Sequence, residues 1–179
     1  MDKEWTIIEI LRHSRHDWLN KIQLIKGNLD LDKVDRVKRI IDEIVIEAQH
    51  ESRITSMKMP GFAELLLTAN WGKNPFRLEF EVISANPGGQ SVDRHVTDWT
   101  SNLFRLLKDA LDFYGENVLS LTIFQRTEEI LCFSFDLQGT IKNEELLKSY
   151  IENSENQFIK TQLTEITDRE ALFRVEIRD

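Results

Sequence analysis

Among the side chains that can take part in covalent chemistry, this sequence offers four histidines and one cysteine. They are His13, His16, His50, His95 and Cys132. His13 and His16 stand three apart in a helical segment, but no HExxH accompanies them and no further ligand lies nearby, so no metal centre is expected. The serines and the cysteine lack a triad context, and neither GxGxxG nor GxxxxGK[ST] occurs. Cys132 alternates within an apolar run and reads as a buried structural thiol. Gly88-Gly89, following Asn86-Pro87, reads as a turn. His50 and His95 fall on helical segments and are assigned no role.

His16 differs in its surroundings. At about 100° per residue, Glu9, Arg12, His13, Asn20, Gln23 and Gly27 share its side of the helix. Arg15 and Asp17 flank it in sequence. The apolar residues of the segment lie opposite, so the imidazole is expected to project into solvent from a rigid, packed helix. A neutral imidazole nitrogen is a nucleophile toward a phosphoryl group. Arg12 and Arg15 would attract an anionic donor, and Asn20 could donate a hydrogen bond to a phosphoryl oxygen. The competing reading is an ordinary surface histidine on a polar helix face. Residues and spacing alone leave both open.

The elements that would hold this ring are two long helices. From Trp5 to about Lys26 there is neither Gly nor Pro, and Ile8, Leu11, Trp18, Ile22 and Ile25 step by three and four, with Arg15 interrupting. Gly27 can end the first helix, and Asp30 or Asp32 can cap a second running to Met57 with Val34, Val37, Ile41, Ile44 and Ala48 in the same spacing. A short connection makes the pair antiparallel. Ile7, Ile10, Leu19, Ile40 and Val45 widen the stripe beyond what one neighbour covers. A second copy of the hairpin, giving a four-helix bundle about a two-fold axis, would cover it. Packing of the hairpin on its own C-terminal domain is the alternative.

Beyond the Lys58-Met59-Pro60-Gly61 break the pattern changes. Phe76–Val82, Val118–Phe124, Ile130–Leu137 and the alternation through Phe173, Val175 and Ile177 read as strands. Arg126–Glu129 reads as a hairpin turn. Ser91–Tyr114 and Glu144–Ile151 read as helices, and Phe62–Trp71 is helical in character and is taken to join the two parts. The expected whole is a mixed, largely antiparallel sheet with helices on one face. Domains are therefore expected at 1–58 and 59–179.

With 179 residues, 30% charged and 41% hydrophobic, the composition is that of an ordinary globular chain. Residues 1–57 carry 10 Lys and Arg against 11 Asp and Glu, and residues 58–179 carry 13 against 20. The net charge of −8 argues against nucleic acid as a partner. No apolar run approaches the ~20 residues of a membrane span, and the MDKEWTII start does not read as a signal. With a single cysteine, a reduced, cytoplasmic protein is the expectation.

The stretch Ser14-Arg15-His16-Asp17-Trp18-Leu19-Asn20-Lys21-Ile22-Gln23-Leu24-Ile25-Lys26-Gly27-Asn28-Leu29 resembles the phosphoacceptor helix of the sporulation initiation phosphotransferase B family. The likeness continues through Asp35-Arg36-Val37 to His50-Glu51-Ser52. A looser similarity exists to the His-Asp-x-x-Asn box of citrate-type sensor kinases. In the first hairpin the motif is specific; over the remaining two thirds the likeness lies in element order. The resemblance implies a hairpin that dimerises, followed by an α/β sandwich similar to a degenerate histidine-kinase ATP-binding domain. It implies relay of a phosphoryl group between response regulator receiver domains. His16 would be the transient carrier, assisted by Arg15, Asp17 and Asn20, and the regulator would dock over Arg12, His13, Asn20, Gln23, Leu24 and Gly27. Asp17 would orient the helix face or accept a hydrogen bond. The Mg2+ that such transfer uses is expected on the regulator, with no cofactor on this chain.

A working kinase ATP site needs an asparagine-bearing helix and two glycine-rich loops that approach the phosphates. Arg105, in Phe104–Ala110, stands where the resemblance would put the first asparagine. Asp136-Leu137-Gln138-Gly139 is at best a remnant of the first loop, and Lys142–Ile151 runs into a charged helix where the second would be. ATP binding is expected to be lost. Two rivals to a phosphotransferase remain, an ATP-dependent sensor-kinase core and a non-catalytic dimeric scaffold.

Overall fold

The computed structural model describes residues 5–84 and 88–178. Its contacts divide the chain into two compact units between Gln49 and His50.

The first unit is a helical hairpin. Helix α1 runs Ile7–Asp30 and opens on a capping box: the Thr6 side chain accepts from the Glu9 N–H, and the Glu9 carboxylate accepts from the Thr6 N–H. The helix does not stop at Gly27 as expected but runs on through it. Asn28 stays helical, with its amide donating to the Leu24 carbonyl at 2.8 Å. The left-handed residue of the connection is Asp32 (φ 56), and the Asp32 and Lys33 N–H groups close the helix end on Leu29 and Asn28. Helix α2, Val34–Ser56, begins directly after.

Most of the α1 stripe expected to be the seam is not on the side that meets α2. Ile8, Leu11, Trp18 and Ile22 remain more than half exposed. The less exposed positions of α1 include Ile10, Ser14, Asp17, Lys21, Ile25 and Asn28, roughly 90° round the helix, so that Ile25 alone of the expected stripe falls on this side. From this side Lys21 reaches Glu47 on α2 at 2.6 Å. On α2, Val37 and Ile40 are buried while Val34, Ile41 and Val45 are exposed, again roughly a quarter turn away. Each helix thus carries a second apolar stripe, beside the one used within the hairpin.

The second unit takes in the last turns of α2, because Ile54 and Met57 are buried in its core. Packing therefore parts the chain inside α2, upstream of the Lys58–Gly61 break. After α2 come α3 (Pro60–Thr68), a 3-10 turn (Ala69–Trp71), β1 (Arg77–Ser84), α4 (Gln90–Ala110), β2 (Val118–Thr127), β3 (Ile130–Gln138), α5 (Glu144–Asn153), β4 (Ile159–Ile166) and β5 (Glu170–Arg178). The sheet order is β1-β2-β3-β5-β4, with β1 and β2 parallel and the other pairs antiparallel. Alternate residues Leu119, Leu121 and Ile123 of β2, Phe133 and Phe135 of β3, and Phe173 and Val175 of β5 form the face that α3, α4 and α5 cover. This is the α/β layer expected, with two differences. Helix α4 ends at Ala110 instead of Tyr114, since Leu111 turns extended and bridges Ile141 while the Asp112 N–H bonds to the Thr140 carbonyl. Strand β4, which has too few buried alternating residues to read as a strand, forms one edge.

Side chains hold part of the outward backbone at both edges of the sheet. On β1 the residues whose backbone points outward are Leu78, Phe80 and Val82. The Asn70 amide bonds both the N–H and the carbonyl of Leu78, each at 2.8 Å. His50 Nδ1 accepts from the Val82 N–H at 3.0 Å, and Arg53 donates to the Val82 carbonyl at 2.6 Å. On β4, Asn156 accepts from the Ile159 N–H and Glu155 from the Thr161 N–H, both at 3.0 Å. Such capping blunts strand addition at an edge.

Candidate functional site

Helix α1 presents His16 on the side away from both apolar stripes, and its side chain is 69% exposed. Two polar groups on the same helix approach one ring nitrogen. Asn20 Nδ2, one turn on, lies 3.2 Å from His16 Nδ1, and Asp17 Oδ1 lies 3.5 Å from the same atom. The first contact needs a lone pair on Nδ1 and the second needs a proton there, so the two belong to different tautomers. With the proton on Nδ1, the ring's nucleophilic lone pair is on Nε2.

Arg12 and Arg15 are exposed on this helix, within a turn of His16. Gln23 and Gly27 are exposed on the His16 side, and a Cβ built on Gly27 would meet nothing within 4 Å. Leu24 is 50% exposed, between that side and the α2-facing side. His13 is half-buried, with its ring edge-on to Trp5 at 4.9 Å. The structure thus brings His16, Asp17 and Asn20 into contact, sets Arg12, Arg15, Gln23, Leu24 and Gly27 around them, and turns His13 aside. Lys21, not among the expected residues, ties the helix down through Glu47 and lies 5.7 Å over the Trp18 ring.

The other candidates resolve into structural roles. Cys132 is buried in β3, and its thiol is pushed up first by that burial and then by the Glu176 carboxylate. His95 stacks on Phe158 at 4.4 Å, and His50 holds the β1 edge. Asn86-Pro87 lies outside the described residues. Gly88 packs so closely that a Cβ would come 2.4 Å from the Met59 sulfur. Among the described residues no group of His, Cys, Asp and Glu side chains could hold a metal ion, and no helix is long and apolar enough to cross a membrane.

Helix α5 packs on α4 through buried Leu147 and Ile151, and Tyr150 donates to the Trp99 carbonyl at 2.6 Å. The Trp99 indole N–H in turn bonds Ser154 at 2.8 Å. Burial raises the Tyr150 phenol pKa, so the hydroxyl remains a donor. The Asp136–Gln138 run is paired strand. Gly139 (φ 154) sits where a Cβ would clash with Asn117 at 2.1 Å. Asn117, which the sequence reading did not single out, joins three loops through Pro75, Asp112 and Thr140.

The fold is thus a helical hairpin that offers His16 to solvent, followed by an α/β sandwich. Residues 1–57 match the family described as Sensor kinase SpoOB-type, alpha-helical domain, and residues 58–178 match Sporulation initiation phospho-transferase B, C-terminal. Sporulation initiation phosphotransferase B of Bacillus subtilis (strain 168) is 34% identical over 170 residues, 94% of this chain and 88% of that protein. The chain belongs to the sporulation initiation phosphotransferase B family, and the transferase class goes with that membership. Among solved structures, the blue-light activated histidine kinase of Erythrobacter litoralis EL346 is similar with a TM-score of 0.47 at 9% identity, over 99% of this chain and 62% of that one. The catalytic domain of histidine kinase ThkA gives 0.39 at 13% identity, over 70% of this chain and 93% of that one. At these identities and scores neither says anything of activity here.

Proposed function

We propose that this protein relays a phosphoryl group from the aspartyl phosphate of one response regulator receiver domain, through His16, to the aspartate of a second. The observation that carries the reading is the exposed His16 ring with the Asp17 carboxylate 3.5 Å from Nδ1, where a proton would leave the lone pair on Nε2. In the forward step Nε2 attacks phosphorus, the bond from phosphorus to the acyl oxygen breaks, and the carboxylate leaves as an anion. The ring carries its remaining proton on Nδ1, where the Asp17 carboxylate favours it. Asn20, released from Nδ1 in this tautomer, donates to a phosphoryl oxygen, and Arg12 and Arg15 attract the donor's charge. The second step runs the same bonds in reverse toward the new aspartate. Phosphoryl transfer of this kind rests on positioning and charge stabilisation, and the divalent cation it uses belongs to the regulator. The regulator docks along Asn20, Gln23, Leu24 and Gly27, a ridge running down the helix from His16, with Arg12 and His13 at its other end.

The protein acts as a homodimer through its hairpins, in a cytoplasmic setting. Two features support a second copy as the occupant of the exposed stripes. Both helices leave an apolar stripe on the same quarter-turn offset, as a four-helix bundle requires. Side-chain caps on part of both sheet edges disfavour pairing of copies through the sheet, which supports the helical stripes as the surface that meets a second copy. The test of function is direct. Mixed with an acyl-phosphorylated receiver domain, the chain should acquire an acid-labile, base-stable label and pass it to a second receiver domain; a scaffold would acquire none.

A further inference from the structure

The two outward residues of β1 that side chains hold are held by different chemistry. Leu78 is held by an amide, Asn70, which does not titrate. Val82 is held by His50 and Arg53, one helical turn apart at the end of α2. Acceptance of the Val82 N–H requires a lone pair on His50 Nδ1. A second ring proton removes that lone pair, turns an N–H toward the Val82 N–H, and places an imidazolium beside the guanidinium that grips the same residue's carbonyl. Glu47, on α2, takes Lys21. Glu51 of α2 has an interaction of its own. Glu81 of β1 accepts from the Thr122 hydroxyl at 2.9 Å. Among the described residues no carboxylate bonds His50.

We propose that the end of α2 is a proton-sensitive latch on the free edge of β1. It is closed while His50 is neutral, and it releases the Val82 backbone when His50 takes up a proton. Release would expose one open N–H and carbonyl beside Phe80, the pair of groups that an added strand would use. The device is independent of the chemistry at His16.

Amide hydrogen exchange of the full chain tests it, with Leu78 as the control on the same strand edge. Both amides share the intrinsic pH dependence of exchange, so the ratio of Val82 to Leu78 rates isolates the latch. Between about pH 8 and about pH 5.5 the ratio should rise by about tenfold in the wild type. His50→Asn keeps an acceptor near the Nδ1 position but does not titrate, and its ratio should stay constant. A wild-type ratio that does not change with pH overturns the proposal whether or not the variant folds. A ratio that rises equally in His50→Asn also overturns it, because another group would then be responsible.

Discussion

Asn20 Nδ2 and His16 Nδ1 face each other at 3.2 Å across one turn of α1. The amide therefore has two uses, one on the resting ring and one on an incoming phosphoryl oxygen. Asn20→Ala should fold normally and slow transfer on the order of tenfold to a hundredfold, as loss of one charge-stabilising donor does. Asn20→Asp should be slower still, since a carboxylate repels the phosphoryl group. Rapid-quench transfer kinetics would show this, and wild-type rates in both variants would remove Asn20 from the site.

The exposed stripes give the second prediction. Ile22 on α1 and Val45 on α2 are 55% and 48% exposed within one chain. If a second copy covers them, Ile22→Asp or Val45→Asp buries an unpaired charge in the bundle and dissociates it. Sedimentation should show a dimer for the wild type at micromolar concentration and a monomer for either variant. A wild-type monomer at that concentration contradicts the bundle.

Nucleotide should not bind. Helix α5 lies on α4 through Leu147, Ile151 and the Tyr150 hydrogen bond to the Trp99 carbonyl, and Arg105 is exposed on α4 where the sequence resemblance would put the first asparagine. Isothermal titration with ATP or ADP is expected to give no heat of binding, and incubation with ATP no label. Micromolar affinity would restore the sensor-kinase reading.

Leu24 separates docking from packing. Its side chain is half exposed on the ridge below His16. Leu24→Ala should weaken regulator binding by about tenfold, as the apolar centre of a small interface does. It should cost the fold only about 1 kcal/mol or less. A large drop in melting temperature with unaltered transfer would make Leu24 a packing residue instead.

The sequence carried the hairpin, four of the five strands and the face on which His16 stands, because those rest on strong periodicity. It misplaced what depends on competition between local signals. Gly27 reads as a stop, yet the helix continues because Asp32 takes the left-handed turn and Asn28 satisfies the Leu24 carbonyl. The stripe through Leu11, Trp18 and Ile22 is present, but a period cannot tell which of two apolar stripes on one helix meets its hairpin partner. Strand β4 is an edge with few buried residues, so its alternation is faint. The tautomer contacts of His16, the Asn117 hub and the caps on β1 arise from residues far apart in sequence or from side-chain geometry, and no spacing announces them.

The central claim is that His16 carries the phosphoryl group. Its most direct measurement is mass mapping of the chain after rapid mixing with an acyl-phosphorylated receiver domain, alongside His16→Ala. His16 is exposed and faces neither apolar stripe, so its removal should change stability by no more than about 0.5 kcal/mol. The account predicts one phosphoryl group per chain, on His16, and none on the folded His16→Ala protein. An acid-labile, base-stable label that maps elsewhere, or that persists in His16→Ala, would contradict it.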